Sequence, residues 1–394
     1  MRDLDYYLAA ASRDNPLLKD LQGRIEMNRL DSMIAMAAFK PQLSFNSAAY
    51  YAPTYKNWGY DPALTDNHTL NALLSLSQTI LLGRDNMRSR KDSYGLETGS
   101  IGNEKKISER DLKLSVTLQY ITAFGLWEEL SSGRAMLDQM NRNEQILRQL
   151  TSKAVYRQID YLNFQVGLQQ QQLLVAQQRA EYKNNIALLN YLCGIEDTTA
   201  VRLAEPDIAL RIPPAFESTA QYRQFQLDSL KIRNSASLLA GDYRPRLTFG
   251  ADAGYNSSFA YQPYKNFGIS AGVALVVPIY DGGQRAKQMS KIATQEAIRR
   301  SNQEFSGRQY RQQIAQLSQQ LTETDNIIAR AQTVVQYSQA VIDAYAKLIQ
   351  TGEVSITDYM AAVNNYMAAR QAVTQSMNAR RQIINQINYW KDEN

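Results

Sequence analysis

Two hydrophobic periods divide the chain. Four stretches alternate apolar and small or polar residues. Over 41–52, Leu43, Phe45, Ala49 and Tyr51 share one face, and Ser44, Asn46 and Ala48 the other. Over 67–80, Leu70, Ala72, Leu74, Leu76 and Ile80 oppose Thr69, Asn71, Ser75 and Ser77, with Leu73 as the exception. Over 245–256, Leu247, Phe249, Ala251, Ala253 and Tyr255 oppose Thr248, Gly250, Asp252 and Gly254. Over 266–278, Phe267, Ile269, Ala271, Val273, Leu275 and Val277 oppose Gly268, Ser270, Gly272, Ala274 and Val276. A period of two predicts strands. Each run exceeds the usual strand of about 5–6 residues and matches the ~9–11 that cross a bilayer at a tilt.

Elsewhere the period lengthens to 3.5. Ile314, Leu317, Leu321, Thr324, Ile328, Ala331, Val335, Ser338, Ile342, Tyr345 and Ile349 follow 3,4 spacing, and Ile356, Met360, Val363, Met367, Thr374, Met377 and Ile384 continue it. Such heptads predict left-handed supercoiled helices. Ile327, Val334, Val341 and Leu348 form a second, adjacent stripe, so each helix has two neighbours, as in a sheet or tube of helices. No proline falls between Pro62 and Pro206 or after Pro278, which leaves both stretches free to run as long helices. From Gly283 to Gln350 one helix would reach ~100 Å at 1.5 Å per residue. Helices are predicted over about 1–40, 84–193, 216–243 and 283–392, with a connecting segment at about 195–216.

The halves echo each other at an offset of about 200 residues: FKPQLSFNSAAYY with YRPRLTFGADAGY, YKNWG with YKNFG, QTILLGRDN with VPIYDGGQR, and IDYL with TDYM. This predicts two tandem structural repeats, about 1–200 and 201–394, in one elongated protomer.

Composition narrows the environment of the strands. No run of 18 apolar residues marks a membrane helix, but barrel strands hardly raise mean hydropathy, here −0.43. The apolar strand faces carry almost no charge. Aromatic residues (Tyr50, Tyr51, Tyr55, Trp58, Tyr60; Tyr255, Phe259, Tyr261, Tyr264, Phe267) gather at one end of the strands, as an interfacial girdle requires. A two-layer sheet in a soluble α+β protein remains the alternative. Four strands cannot close a membrane barrel, for which about eight is the minimum, so the membrane reading requires several copies of the chain.

Chemical motifs are lacking. The net charge of +5 is scattered, with no basic stripe for nucleic acid. The single cysteine, Cys193, beside Gly194, reads as a small buried residue at a helix end, and the single histidine, His68, has no partner for a metal site. Met33 and Met36, one helical turn apart, read as packing residues. Gly282-Gly283 is a turn and no phosphate loop, and Asp281 is predicted to cap the following helix. No cofactor or metal and no enzymatic activity is expected. Asp160 and Asp358 each follow a predicted helix-hairpin turn. Each is either a carboxylate at a helix start or, in a symmetric oligomer, one member of a cation-attracting ring. The N-terminus lacks the apolar core of a signal peptide, which leaves a cytosolic protein and a removed signal both open.

Together these residues resemble the TolC family of outer-membrane efflux ducts. The segment from LDYYLAAASRDNP to FKPQLSF is similar to that family's opening helix and lead into its first strand. VVPIYDGGQR is similar to its strand-to-helix junction, TGEVSITDYMAAVNNYMAAR to its second hairpin tip and, more loosely, VYRQIDYLNFQVGL to its first. The likeness spans essentially the whole chain. It implies a mixed α and β membrane protein: a trimeric 12-stranded β-barrel, four strands per chain, continuous with a long α-helical coiled-coil barrel. By the same resemblance the homotrimer sits in the outer-membrane lipid of a Gram-negative bacterium and extends into the periplasm. It is a passive duct for a tripartite efflux or type I secretion system, working with a periplasmic adaptor and an inner-membrane pump of the RND, ABC or MFS class. Residues 195–216 would form an equatorial belt. Asp358 would ring the periplasmic entrance, and Tyr156, Arg157, Gly352, Glu353 and Ser355 would form the adaptor-contacting tips. Gly83, Pro278, Asp281, Gly282 and Gly283 would form the strand-to-helix junctions. Tyr156 would take the glycine position of the first tip. Ala361, Val354 and Ile349 depart from the residues that ring or lock the entrance in some members. The alternative is a soluble coiled-coil scaffold or adhesin-like interaction protein.

Overall fold

The computed structural model describes residues 2–53, 55–56, 58–59, 68–81, 84–259 and 262–391. Its helices are α1 (Leu4–Asp14), α2 (Pro16–Ala37), α3 (Arg84–Ser152), α4 (Gln158–Leu192), α5 (Ala220–Asp242), α6 (Gln284–Thr351) and α7 (Ile356–Asn388). Its strands are β1 (Gln42–Tyr51), β2 (His68–Leu81), β3 (Arg246–Ser257) and β4 (Phe267–Val276). The helical span expected over 1–40 holds two helices. Asn15 is extended at the end of α1, and its side-chain Oδ1 accepts from the Leu18 amide, 3.2 Å. Pro16, with no amide hydrogen to lose, opens α2. Contacts divide the chain into two compact units, one of residues 21–103 and 224–303, the other of 1–20, 104–223 and 304–394.

The first unit holds the sheet. The strands pair antiparallel in the order β1-β2-β3-β4, so β1 and β4 each keep one edge without a strand partner among the described residues. The register mates the apolar faces row by row: Phe45 with Leu74, Leu74 with Ala253, Ala253 with Ile269. A one-residue slip would send these side chains to the opposite face, so the alternation specifies the pairing. Among the described residues nothing covers the apolar face of β4. Ile269 is 89% exposed, Val273 64% and Leu275 59%. Of the predicted aromatic cluster, Tyr50, Tyr51, Tyr55, Trp58, Phe259, Tyr264 and Phe267 are exposed, while Tyr60 and Tyr261 lie outside the described residues. No helix is long and apolar enough to cross a membrane among the described residues.

The second unit is helical. Every member of the first heptad stripe of α6, from Ile314 to Ile349, is buried or half-buried, whereas Ile327, Val334 and Val341 of the adjacent stripe are exposed. One stripe of α6 is therefore used inside the protomer and the other is left for something outside it. The continuing stripe of α7, from Ile356 to Ile384, is likewise buried or half-buried. α4 packs against α7, where the Met360 side chain lies over Gly167. The segment after α4 is pinned across the helices. Leu203 is buried, the Arg2 amide donates to Arg202 O at 3.1 Å, and Tyr120 Oη donates to Ala204 O at 2.7 Å. Arg381, buried over the Phe124 ring, donates to Glu205 at 2.7 Å and Glu128 at 3.4 Å.

Candidate functional site

Two interhelical turns lie together in the helical unit, 153–157 between α3 and α4 and 352–355 between α6 and α7. Both close their first helix in the same way. After α6, Gly352 has φ +77°, its amide donates to Ile349 O at 3.3 Å, and the Glu353 amide donates to Leu348 O at 3.2 Å. After α3, Ala154 has φ +60°, its amide donates to Thr151 O at 3.0 Å, and the Val155 amide donates to Leu150 O at 3.0 Å. Both are left-handed caps in which two otherwise orphaned carbonyls find donors. The counterpart of Gly352 is thus Ala154. Tyr156, expected at the glycine position, stands two residues further on and aligns with Val354.

Tyr156, expected among the adaptor-contacting tip residues, is buried. It is 8% exposed, and its hydroxyl reaches carbonyls of the other turn, Val354 O at 3.1 Å and Ile349 O at 3.3 Å. Burial pushes the phenol above its ordinary pKa. Val354 and Ile349 are buried in the same core, with Met140, Leu147, Phe164, Leu168, Ile356 and Tyr359. Phe164 and Tyr359 stack with ring centroids 6.2 Å apart, and Asn143 Nδ2 donates to Tyr359 Oη at 2.6 Å. The two turns are therefore one packed body. Its outer surface includes Lys153, Ala154, Val155, Arg157, Glu353 and Ser355, with Gly352 half-buried against Val155.

The two acids occupy equivalent helix positions in different surroundings. Asp160, in the first turn of α4, accepts from Arg157 Nε at 3.0 Å, Arg157 Nη2 at 3.1 Å and the Arg157 amide at 3.3 Å. The guanidinium hydrogen bonds hold its carboxyl below the ordinary range. Asp358, in the first turn of α7, has an exposed carboxylate with no ion-pair partner among the described residues. It stands on the rim of a groove of ≈ 310 Å³ shared with Tyr337, Tyr345, Ala361 and Asn365. Ser355 precedes α7 at the N-cap without a side-chain capping bond.

In the sheet unit, β4 reaches α6 through Pro278 and the Asp281-Gly282-Gly283 turn. Asp281 Oδ1 accepts from the Gly283 amide at 2.9 Å and Oδ2 from the Arg285 amide at 2.6 Å, so this carboxylate caps α6 as expected. A hydrogen bond from Tyr243, then those backbone amides, holds Asp281 below the ordinary carboxylate range. Gly282 and Gly283 have φ of +67° and +81°, a conformation that a Cβ opposes. Gly83, expected at the other junction, lies outside the described residues. Among the described residues no group of three or more His, Cys, Asp or Glu side chains is placed to hold a metal.

A four-stranded antiparallel sheet with a bare apolar face, combined with long paired helices, defines the fold of outer-membrane channel proteins. Its solved relatives in fold include the outer membrane protein VceC of Vibrio cholerae, at 12% identity over 98% of this chain and 95% of that one, with a TM-score of 0.79. The CmeC outer membrane channel of Campylobacter jejuni has 11% identity over 98% and 84%, TM-score 0.77. The open state of the MtrE outer membrane channel of Neisseria gonorrhoeae has 13% identity over 98% and 88%, TM-score 0.76. At these identities the likeness is one of fold. No protein-family model matches the chain, and no curated protein matches it in sequence.

Proposed function

We propose that the protein is a passive exit duct in the outer membrane of a Gram-negative bacterium, formed by three copies that each supply four strands to a 12-stranded barrel. The observation that carries this reading is the sheet itself. An uncharged apolar face, bare in the protomer and bounded by two unpaired edges, is an aggregation hazard in water. In lipid the same face is the favoured solvent boundary, and closure with other copies satisfies both edges. The fold likeness to outer-membrane channels points the same way. The two similar halves descend, in this reading, from a tandem duplication.

The paired turns form the periplasmic end of the duct. Arg157, Gly352, Glu353 and Ser355 contact a periplasmic adaptor that links the duct to an inner-membrane pump, and Tyr156 holds the two turns in register beneath them. Three copies of Asp358 form a cation-attracting ring at the entrance. The duct catalyses nothing, and the pump supplies the energy for efflux or type I secretion. The test is membrane extraction followed by planar-bilayer recording. The reading predicts a heat-resistant trimer released only by detergent that conducts ions once reconstituted. A monomer that dissolves without detergent and forms no pore would instead establish the soluble scaffold.

A further inference from the structure

The register places one carboxylate in an unusual setting. Ser44, Ser75, Asp252 and Ser270 pair in sequence across β1, β2, β3 and β4, making a single transverse row on the polar face. Asp252 is the only Asp or Glu in the four strands. The other charge on its face, Arg246, lies six residues along β3, about 20 Å at ~3.3 Å per residue. That distance is several times the reach of an ion pair, so the guanidinium makes no direct pair with the carboxylate. Asp252 has no ion-pair partner among the described residues and is half-exposed.

Glycines surround it. Gly250 and Gly254 flank it on β3, where they pair with Gly272 and Gly268 of β4. A Cβ added at Gly250, Gly268 or Gly272 would meet nothing within 4 Å, so packing inside the protomer does not call for glycine at these three positions. Gly254 differs: its φ is +150° and a Cβ there would strike the Ala72 carbonyl. The carboxylate therefore stands above a low, water-accessible floor, with serine hydroxyls as its neighbours along the row.

We propose that Asp252, repeated by each copy around the closed barrel, forms a ring of negative charge that makes the barrel interior select cations over anions. The proposal rests on the duct reading, since the polar face becomes a lumen only when the copies close. Charges at one level of an aqueous wall raise the local concentration of counter-ions, and salt screens the effect. With three charges at barrel radius, the cation preference contributed by the ring is about two- to fivefold at ~10 mM salt, where the Debye length is about 30 Å. At 1 M, where it is about 3 Å, the contribution vanishes.

Reversal potentials across asymmetric salt in planar bilayers test this on the full-length trimer. Asp252→Asn should still assemble and form pores, and lose about two- to fivefold in cation over anion permeability at ~10 mM salt, with no change at 1 M. The same loss should appear when the substitution is made in an Asp358→Asn background. Asp252→Cys should regain the preference after reaction with a sulfonate-bearing thiol reagent. Cys193 leaves that experiment clean, because it is buried and burial pushes its thiol up to about 11. If Asp252→Asn does not assemble, Ser270→Lys leaves the carboxylate in place with an ammonium beside it, and the preference must fall in the same way. Unchanged selectivity in an assembled, conducting variant overturns the ring while leaving the duct intact. A wild-type protein that forms no pore overturns both.

Discussion

The two interhelical turns share a backbone and differ in chemistry. Each ends its first helix on a left-handed residue and starts its second with an aspartate in the first turn, Asp160 or Asp358. The first turn takes its acid out of circulation, because the Arg157 guanidinium and amide occupy it. The second leaves its acid bare and sheds backbone strain by placing glycine where the first uses alanine. Equivalent positions in a repeat therefore need not do equivalent work. The first turn locks the pair together through Tyr156, and the second presents a charge.

Emptying the core that joins the turns should have the largest effect. Phe164 is fully buried against Tyr359. Phe164→Ala should destabilise the helical unit by about 3–5 kcal/mol, measured by denaturant unfolding of the purified trimer. Loss of less than 1 kcal/mol would mean that the two turns are not one packed body.

Reciprocal substitutions sharpen the backbone comparison. Gly352→Ala forces a Cβ into a left-handed residue and to 2.5 Å from Val155 Cγ1. It should cost about 1–2 kcal/mol from the conformation alone, and more from the clash. Ala154→Gly should stabilise the first turn by about 1 kcal/mol. Effects of the same sign at both positions would break the equivalence of the two caps. A bulkier residue at Gly352 should also impair export without preventing trimer formation.

The acids should separate in function. Asp358→Asn should lower cation over anion permeability by about twofold at low salt, whereas Asp160→Asn, whose charge Arg157 already balances, should leave it unchanged. Equal effects would contradict the division of labour between the turns. The smallest effect concerns titration. Arg157→Ala should raise the Asp160 pKa toward the ordinary carboxylate value, visible by NMR of the side-chain carboxyl. Because the folded pKa is depressed, the stabilising contribution is present above the unfolded-state value and is lost as pH falls through the folded one.

The sequence revealed most where the signal is local. Period-two alternation and heptad spacing depend on neighbours a few residues away, so the four strands and the two stripes of α6 were legible. Asp281, followed by two glycines, was legible as a helix cap for the same reason. Long-range packing was not. Tyr156 was expected at an adaptor-contacting tip, but it is buried in the helical core and bonded to the second turn, nearly 200 residues away. The break at Asn15-Pro16 was written in the chain, yet the surrounding helical pattern concealed it. The Arg157–Asp160 pair has ordinary helical spacing and gave no sign that it would distinguish the first turn from the second. Arg381 lacked any local signal, since its acidic partners come from α3 and the segment after α4. The glycines beside Asp252 were legible in its own strand, whereas the serine row emerged only once the register paired it with Ser75 and Ser270.

The most direct test of the account concerns which solvent each side of β4 meets. Spin labels placed singly at 267–276 in the reconstituted protein report collisions with lipid-soluble oxygen and with a water-soluble nickel chelate. Labels at Phe267, Ile269, Ala271, Val273 and Leu275 should favour oxygen, and those at Gly268, Ser270, Gly272 and Ala274 should favour nickel, alternating with every residue. Labels at Val273 and Leu275 shielded from both reagents, or open to nickel, would show that this face meets protein or water, and the duct would be the wrong conclusion.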